Sequence, residues 1–588
     1  MQVYLITSWQ NILKKLQTFN SLKKFFSVLE FKIKRNLFLL FFFKVISGLF
    51  DMLGVASLAP IILILTKDSI LDTNKYALFI KNLFEINNQE LMALIVLLSS
   101  VIILFNILLR FLISWADQYI SSKTFFSFTN KIYSHHINQS YQYFINNSTS
   151  DVTDKIVTRI KAGSHALISS ILIMISSFFT LIFLTALLIF VDTKVTIITL
   201  VIISISYLLI FLRVKNKINE FGKFLPKNSR NVTRLVTQSL KSIKEIIIFK
   251  NSSFYSDQMN NLTNVYRKNI IKYYLLNILP KNMIEFLAYT LVFSLLIYYI
   301  TFDLDFGSLL LVIGLYAASF HRMLPAYQSF FNGYNNLKVA IYSFDVIYND
   351  LLNAKINKPR ITGSEKLIVS QNIIFKNLKF KYKKDQKENT IDIENFEIGK
   401  NKLIAVTGLS GSGKSTFLNI FCGLIPPDSG EIFVDGRKVN YSNYEGIKDN
   451  ISYISQTPFL ADDTIVNNIA LGEDTKRIDF KNIKTSCEIA GIKDFIETSL
   501  DKKYETFIGE DGIKLSGGQK QRICIARAIY KNRNILVFDE ATNSLDEESE
   551  LQIINNFREI FKEKIIIFVT HRTNILKKFD KTIIFKKK

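Results

Sequence analysis

A glycine-rich segment in the C-terminal half of the chain has the residue types and spacing of a phosphate-binding site. In "LIAVTGLSGSGKSTFLNI" the apolar strand Leu403 to Val406 leads into Gly408, four further residues, and then Gly413, Lys414 and Ser415 before a helix. Glycines let backbone N–H groups turn toward phosphate oxygens, and the N-terminus of the helix adds a favourable dipole. Lys414 would reach β- and γ-phosphates, and Ser415 would bind Mg²⁺. The pattern predicts phosphate binding but alone leaves the reaction open.

Two further apolar strands end in polar side chains that suit hydrolysis. The strand "NILVFDE" ends in Asp539 and Glu540, and the strand "IIIFVT" leads to His571. Two successive carboxylates offer one ligand for Mg²⁺ and one group that polarises the attacking water. We therefore assign Asp539 to the metal, Glu540 to the general base and His571 to the γ-phosphate. Each piece alone has a structural explanation (a glycine turn, an acidic strand end, a satisfied histidine), but their order and spacing favour a catalytic site.

Residues 370–585 resemble the nucleotide-binding domain of ATP-binding cassette transporters. Besides the phosphate loop, the matching motifs are the glutamine loop at Gln456 in "YISQTPFL", the signature Leu515 to Gln519, the loop Ser544 to Asp546 and the histidine switch at His571. The resemblance implies ATP and Mg²⁺ as cofactors and ATP hydrolysis coupled to transport. The implied nucleotide-binding residues are Tyr382, Gly408, Ser410, Gly411, Ser412, Gly413, Lys414, Ser415, Thr416, Ser516, Gly518 and Gln519. The implied metal ligands are Ser415, Gln456 and Asp539, and the implied catalytic residues are Glu540, His571 and Gln456.

The resemblance also implies a second copy of the chain as a partner. In this family the signature of one domain closes on the nucleotide held by the phosphate loop of another, so Ser516 and Gly518 are expected to contact the γ-phosphate across an interface. Because the chain has one cassette with all its motifs, it is expected to form a homodimer with two competent sites. Tyr382, in "LKFKY", occupies the position at which the family stacks an aromatic ring on adenine, although a strand aromatic is often only part of a core.

The composition indicates a membrane protein. Of the 588 residues 49% are hydrophobic, and the mean hydropathy is positive. The formal net charge of +23 is spread over a chain rich in Lys, Asn and Ile, so we predict no nucleic-acid partner from it. The three cysteines, Cys422, Cys487 and Cys524, have no metal-type spacing, so we predict neither a disulfide framework nor a zinc site. All three lie in the C-terminal third of the chain, which is consistent with a reducing compartment.

The long apolar runs lie in the first 350 residues. Six of them are long enough to cross about 30 Å of hydrocarbon, and they cover residues 37–65, 91–115, 166–191, 195–212, 283–301 and 308–331. The loops after the second and fourth runs are long and basic, so the positive-inside rule places both loops, the N-terminus and everything after the sixth run in the cytoplasm. We therefore predict a multi-pass protein of the bacterial inner membrane, in contact with membrane lipids, with its ATPase domain in the cytoplasm.

The predicted fold class is a multidomain membrane protein, with a six-helix α transmembrane domain followed by an α/β P-loop ATPase domain. We place the first domain at residues 1–350 and the second at residues 351–588. The first would begin with an amphipathic N-terminal helix, for which a solvated basic tail is the alternative. Residues 116–165 and 213–280 are expected to continue the spans into the cytoplasm and return through short coupling segments, unless they merely pack as loops.

The order of the domains, with spans ahead of a cassette, resembles that of exporters and flippases. The segments "GLFDMLGVASLAPIILIL" and "HRMLPAYQSF" resemble bacterial flippases for lipid-linked oligosaccharides. The predicted function is therefore ATP-driven export or flipping of an amphipathic substrate, a lipid-linked saccharide in the first instance. The alternatives are an exporter of lipids, drugs or peptides and, from another class, an ATP-gated membrane sensor that transports nothing.

The sixth run carries His321 and Arg322 in its cytoplasmic half. A charge facing lipid there costs at least about 2.5 kcal/mol, so Arg322 should face the protein interior or a watery cavity. In a structural interpretation, Arg322 pairs with an intramembrane acid such as Glu285 or Asp51. In a functional one, Arg322 and His321 from two copies bind the phosphate or pyrophosphate of an anionic lipid carrier.

Overall fold

The structure is a computed structural model that describes residues 19–66, 75–301, 306–356, 367–382, 390–440, 444–542 and 546–585. Most of the predicted amphipathic N-terminal helix, together with Ser544 and Leu545 of the predicted loop, lies outside the described residues. The chain divides into two compact units. We call Met1–Gln139 with Asn147–Pro359 the helical unit, and Ser140–Asn146 with Arg360–Lys588 the α/β unit.

The helical unit consists of long helices joined by short ones. Its helices are α1 (Phe31–Ala56), α2 (Leu58–Thr66), α3 (Lys75–Phe84), α4 (Asn88–Ile137), α6 (Thr149–Asp154), α7 (Ala166–Val191), α8 (Thr193–Lys241), α9 (Ile243–Ile248), α10 (Ser252–Thr301) and α11 (Phe306–Ile356). The short helix α5 (Tyr141–Asn146) falls in the α/β unit. Two π-helical turns, Lys155–Arg159 and Lys161–His165, connect α6 to α7.

Each of the six apolar runs lies largely within these long helices. In the part of the chain that the structure describes, three helical segments are long and apolar enough to cross a membrane, namely Phe31–Ile64, Asn88–Ile137 and Thr149–Val191, and Thr193–Ser206 is a shorter apolar helix. The count of six spans therefore stays a prediction. Helices α4 and α8 continue well past their apolar parts before α5 and α9 follow them.

Local sequence explains where two of the long helices begin. Asn87 and Glu90 form a capping box, in which each side chain accepts a hydrogen bond from the backbone N–H of the other, at the start of α4. Asp192 separates α7 from α8, and its side chain accepts from the N–H of Val195.

A glycine allows the turn before α7 to pack closely against α11. A Cβ on Gly163 would lie 2.7 Å from the backbone nitrogen of Phe344, so only glycine permits this close approach.

The α/β unit contains two sheets. The strands are β1 (Asn372–Phe380), β2 (Ile391–Gly399), β3 (Lys402–Gly408), β4 (Ser429–Val434), β5 (Arg437–Val439), β6 (Ile451–Ile454), β7 (Ile535–Asp539), β8 (Ile565–Val569) and β9 (Lys581–Phe585). Strands β2-β1-β4-β5 form an antiparallel sheet, and β6-β7-β8-β3-β9 form a parallel one. The helices are α12 (Lys414–Phe421), α13 (Ile465–Ile469), α14 (Phe480–Ile489), α15 (Lys493–Ser499), α16 (Gly517–Tyr530) and α17 (Glu547–Ile560).

The parallel sheet brings the chemistry-bearing segments to one edge. Strands β7 and β8 are buried along nearly their whole length, as continuous Ile- and Val-rich strands in a parallel sheet are expected to be. Since β3 neighbours β8 and β8 neighbours β7, the carboxyl ends of all three strands lie side by side. Ligands in open α/β sheets bind at this edge. The phosphate loop, the acidic pair and the histidine follow β3, β7 and β8 in turn.

Candidate functional site

The phosphate loop between β3 and α12 depends on three glycines. Gly408, Gly411 and Gly413 have φ values of 151°, 81° and 98°, a region that favours glycine. A Cβ on Gly408 would lie 2.3 Å from the carbonyl oxygen of Phe585, and a Cβ on Gly413 would lie 2.9 Å from that of Thr390. The loop therefore forms only with glycine at the two crowded positions.

Two side chains of the loop, those of Lys414 and Ser412, have buried polar atoms. Lys414 is buried, and its Nζ donates to the carbonyl oxygens of Gly408 at 2.9 Å and Leu409 at 3.2 Å, so the ammonium lies inside the curve of the loop. The hydroxyl of Ser412 is buried and has no hydrogen-bond partner among the described residues. A buried ammonium and an unpaired buried hydroxyl in a glycine loop fit phosphate oxygens.

The remaining predicted loop residues divide by exposure. Ser410, Gly411 and Ser415 are exposed, whereas Thr416 is buried.

Tyr382, the predicted adenine-stacking residue, contacts the helix that follows the loop. The hydroxyl oxygens of Tyr382 and Thr416 are 3.2 Å apart, and the Tyr382 ring packs edge-on against Phe380 with 5.1 Å between centroids. Tyr382 thus reaches α12 while 46% of it stays exposed, which leaves part of the ring accessible to a base.

The carboxylate of Glu540 is held from two sides. His571 Nε2 lies 2.8 Å from Oε1, and Gln456 Nε2 donates to Oε2 at 2.7 Å. Because an ionised carboxylate only accepts, Nε2 of His571 carries the proton in this contact. Glu540 itself has φ of 49°, an unfavourable backbone region for a residue with a side chain, and its N–H donates to the carbonyl oxygen of Val569 at 3.2 Å. The fold thus directs this carboxylate toward Gln456 and His571.

The neighbouring carboxylate of Asp539 has a different partner. The hydroxyl of Tyr453 donates to Oδ2 at 2.6 Å. Burial raises the pKa of Asp539, and the hydrogen bond from Tyr453 offsets part of that increase. Burial and the contact with Asp539 raise the pKa of Tyr453 well above its ordinary value, so this phenol stays protonated and donates. Burial, together with the charge of Asp539, also raises the pKa of Cys422 to about 12.

The residues assigned to Mg²⁺ offer a small set of oxygen atoms. The Ser415 hydroxyl is exposed, the Gln456 amide oxygen is left over when its nitrogen donates to Glu540, and Oδ1 of Asp539 has no hydrogen-bond partner among the described residues. Within the described ranges, no group of three or more His, Cys, Asp or Glu side chains could hold a metal alone. One carboxylate plus substrate phosphates is a usual environment for Mg²⁺, so these residues fit it.

The signature residues lie apart from this group. Ser516 caps α16 in a capping box with Gln519, in which Ser516 Oγ accepts from the N–H of Gln519 at 3.3 Å and Gln519 Oε1 accepts from that of Ser516 at 2.8 Å. In the described part of the chain, no hydrogen bond of Ser516, Gly518 or Gln519 reaches the phosphate loop. Ser516 is exposed at the N-terminus of α16, where a helix favours an anion.

Sequence reasoning missed a buried carboxylate behind the site. Glu550 on α17 is fully buried, with Oε1 accepting from Thr542 Oγ1 at 2.6 Å and Oε2 accepting from Arg572 at 2.5 Å. Thr542 follows the acidic pair and Arg572 follows the histidine, so Glu550 connects the segments that carry both. Helical spacing was the available signal, because Glu550 is three, four and seven residues before buried apolar residues of the same helix.

A second polar site lies in the helical unit. A cavity of about 240 Å³ is lined by Arg110, Ser176, Ser177, Thr180, His321, Arg322, Pro325, Ala326 and Ser329. Arg322 is half-buried and His321 is exposed. Among the described residues Arg322 forms no ion pair, so neither of the predicted partners, Glu285 and Asp51, is paired with it.

The buried acid Asp51 is satisfied by other helices. Its Oδ1 accepts from Asn106 Nδ2 at 2.8 Å and from Arg110 at 2.5 Å, and its Oδ2 accepts from Thr180 Oγ1 at 2.9 Å. Asp51 is 2% exposed, whereas the Arg110 side chain is 39% exposed and is among those that line the cavity. Asp51 is therefore paired with Arg110 on α4 and not with Arg322 on α11.

Comparison with known protein families identifies the class. A family profile described as "ABC transporter transmembrane region" matches residues 37–321, and one described as "ABC transporter" matches residues 391–543. Together they cover most of the chain. The chain therefore belongs to the ABC transporters, with a transmembrane region and a nucleotide-binding domain on one polypeptide.

Individual relatives match part of the chain. It is 36% identical over 233 residues to the leukotoxin translocation ATP-binding protein of Mannheimia glucosida, which is 40% of this chain and 31% of that protein. It is 37% identical over 220 residues to the ATP-dependent lipid A-core flippase of Photobacterium profundum, which is 37% of this chain and 36% of that protein. The chain thus spans about a third of the length of the curated relatives it matches.

A solved structure shares the fold over almost the whole length. A bacterial Atm1-family ABC exporter with ATP bound superposes with a TM-score of 0.66 at 21% identity, and the match covers 92% of this chain and 93% of that one. The ABC exporter fold, an N-terminal helical transmembrane domain followed by a C-terminal ATPase domain, agrees with the predicted fold class.

Proposed function

We propose that the chain is an ATP-driven exporter or flippase of the bacterial inner membrane, with its ATPase domain in the cytoplasm. The observation that carries this proposal is the placement of the Glu540 carboxylate between His571 and Gln456, next to the phosphate loop. ATP hydrolysis needs a base, a group at the γ-phosphate and a cradle for the phosphates. These three parts follow adjacent strands of one sheet.

Each side chain has a task that its contacts support. The loop N–H groups, Lys414 and the Ser412 hydroxyl bind the phosphates of ATP, and Tyr382 stacks on the adenine. Glu540 accepts a proton from the attacking water, and the N–H of His571 that now donates to Glu540 can turn to a γ-phosphate oxygen. A Mg²⁺ ion held by Ser415, Gln456 and Asp539 would neutralise charge on the β- and γ-phosphates.

The functional unit is proposed to be a homodimer. The capping box of Ser516 and Gln519 leaves the N-terminus of α16 exposed and without a contact to the phosphate loop of its own chain. A second copy would place this helix end, with Ser516 and Gly518, on the γ-phosphate. Closure of the two cassettes on ATP would then provide the motion that drives transport.

For the substrate we propose an anionic amphipath, in the first instance a lipid-linked saccharide. The support is the cavity that Arg322, Arg110 and His321 line, because guanidinium groups bind phosphate oxygens in bidentate geometry. Arg110 is already paired with Asp51, whereas Arg322 has no ion pair among the described residues. The relatives include a toxin-translocation protein and a lipid A-core flippase, so an exporter of peptides or other lipids is the alternative, and a sensor without transport is a further one.

Reconstitution tests this function directly. The purified chain in liposomes would be given a fluorescent polyprenol that carries a saccharide through a diphosphate, and accessibility of the label to an impermeant quencher would be followed with ATP. We expect ATP-dependent movement of this lipid. We expect no movement of the same saccharide on an uncharged lipid, because Arg322 would have no phosphate to bind.

A substitution of Arg322 tests whether transport depends on the cavity. Arg322→Gln should abolish substrate stimulation of the ATPase and transport while nucleotide binding is retained. Arg267→Gln, which changes an exposed arginine of α10, is the matched control and should transport normally. Equal transport of charged and uncharged lipids would reject the anionic substrate, movement of peptides alone would favour the alternative exporter, and ATP turnover without any movement would favour a sensor.

A further inference from the structure

Tyr453 is the first residue of the glutamine-loop segment "YISQTPFL" and has no assigned role, yet it contacts the proposed metal site. It lies on β6, three residues before Gln456, and its hydroxyl donates to Asp539 Oδ2 at 2.6 Å. This is the short distance expected of an O–H donor to an ionised oxygen. The contact joins the strand that leads into the glutamine loop to the acidic end of β7.

The register of the parallel sheet explains why these two side chains meet. Tyr453 is the partner of Val537 across the β6 and β7 pair, so both side chains lie on the same face. Asp539 is two residues beyond Val537 and therefore lies on that face as well. A diagonal neighbour at this spacing is about 7–8 Å away, within reach of a long side chain such as tyrosine but not of a shorter one.

The hydroxyl, and not the ring, is the main contribution of Tyr453. The residue is 43% exposed, whereas its strand neighbours Ser452 and Ile454 are buried on the other face. Tyr444 provides a contrast, because it is almost fully buried in the core and its hydroxyl donates to the backbone oxygen of Phe421 at 2.9 Å. Tyr453 thus contributes less to core packing than Tyr444 does, while it restrains one side chain.

The hydrogen bond from Tyr453 involves only one of the two carboxylate oxygens of Asp539. Oδ2 accepts from Tyr453, and Oδ1 has no hydrogen-bond partner among the described residues. A carboxylate that is tethered through one oxygen has fewer rotamers, so the other oxygen is presented in a fixed direction. Partners of this kind tune metal ligands, and their loss typically costs about 10–100-fold in metal affinity or activity.

We propose that Tyr453 is a positioning residue for the metal-binding carboxylate, which holds Asp539 so that Oδ1 is presented to the cation. Tyr453 donates to Asp539 and Gln456 donates to Glu540, so the segment of residues 453–456 holds both successive acids. A shift of this segment would move the metal ligand and the base together. The proposal rests on the proposed function, in which Asp539 binds the metal.

The test compares metal affinity with nucleotide affinity in the full-length chain. Mn²⁺ binding would be measured by EPR with a non-hydrolysable ATP analogue present, and nucleotide binding would be measured separately in EDTA. Tyr453→Phe removes only the hydroxyl. We expect its Mn²⁺ dissociation constant to rise about tenfold, with nucleotide affinity in EDTA unchanged. A merely structural residue would not alter one affinity without the other.

Tyr504→Phe is the matched control, because the Tyr504 hydroxyl donates to a carboxylate oxygen of Glu497 at 2.9 Å in the same unit but outside the site. It should bind Mn²⁺ as the wild type does. Tyr453→Leu, which also lacks the donor, should weaken Mn²⁺ binding as Tyr453→Phe does. If Tyr453→Phe retains wild-type affinity, or only Tyr453→Leu loses it, the hydroxyl does not position Asp539 and the proposal is wrong.

A separate measurement distinguishes this failure from failure of the proposed function. Asp539→Asn should weaken Mn²⁺ binding at least as much as Tyr453→Phe does. If Asp539→Asn binds Mn²⁺ like the wild type, Asp539 is not the metal ligand, and the proposed site fails together with the role of Tyr453. If Asp539→Asn loses the metal but Tyr453→Phe does not, only the role of Tyr453 fails.

Discussion

In the α/β unit, Lys414, Asp539 and His571 each follow or end a strand of one parallel sheet, whereas in the helical unit Asp51, Arg110 and Arg322 lie within three different helices. Strands that are neighbours in a parallel sheet present their carboxyl ends together whatever the details of packing. Side chains from different helices meet only when the helices have a particular rotation and crossing. The first site is therefore encoded in short segments, and the second is encoded in packing.

The largest expected effect concerns Glu540, the proposed base of the nucleotide site in the α/β unit. Glu540→Gln keeps an amide that Gln456 and His571 can still contact, but it cannot accept a proton from water. We expect ATP binding to persist while turnover falls by about 10²–10⁴-fold, measured as bound nucleotide and released phosphate. Glu563→Gln, which changes an exposed glutamate paired with Lys400 at 3.0 Å, is the matched control. Turnover near the wild-type rate in Glu540→Gln would remove Glu540 from this role.

Most residues of the nucleotide site in the α/β unit were predictable from sequence. The segments with Gly408, Lys414, Asp539 and His571 were identifiable because their spacing is local, and the sheet then places them at one edge. Tyr453 was not identifiable, because its contact with Asp539 depends on the register between β6 and β7. The pairing of strands that are far apart in sequence leaves no local pattern.

The helical unit was predictable in its elements but not in its contacts. The apolar runs predicted the long helices, since an apolar segment of that length is stable as a helix in hydrocarbon. The sequence also indicated that Arg322 avoids lipid. It did not indicate that Asp51 is paired with Arg110, because both are single polar residues in apolar helices and nothing local relates them.

The next expected effect tests whether the α/β site is complete within one chain. Ser516→Arg should block the signature, and Lys414→Ala should block the phosphate loop. In an equal mixture, heterodimers would have one doubly altered site and one intact site. Random pairing would then recover about a quarter of wild-type ATP occlusion, whereas each variant alone would recover almost none. Heterodimers that form but never occlude ATP would contradict a site shared between two chains.

A third variant tests the pair of Asp51 and Arg110 in the helical unit. Asp51→Asn leaves Arg110 without its buried counter-charge, which costs about 3–5 kcal/mol in fully buried pairs, and we expect about 2 kcal/mol here because Arg110 is partly exposed. Thermal unfolding in detergent would measure the loss. A second change, Arg110→Gln, should recover part of it, and additive losses in the double variant would show that the pair is not coupled.

The smallest expected effect uses one local motif that both units contain. Asn87 with Glu90 and Ser516 with Gln519 form equivalent capping boxes at the starts of α4 and α16. Asn87→Ala and Ser516→Ala should each cost about 1 kcal/mol of stability, because each leaves a helix N–H without its acceptor. Thermal unfolding should therefore report similar losses for both variants. ATP occlusion should fall only with Ser516→Ala, since that helix end is the one proposed to contact a nucleotide. If Asn87→Ala lowers occlusion as much, loss of a cap alone accounts for the effect, and Ser516 needs no contact with ATP to explain it.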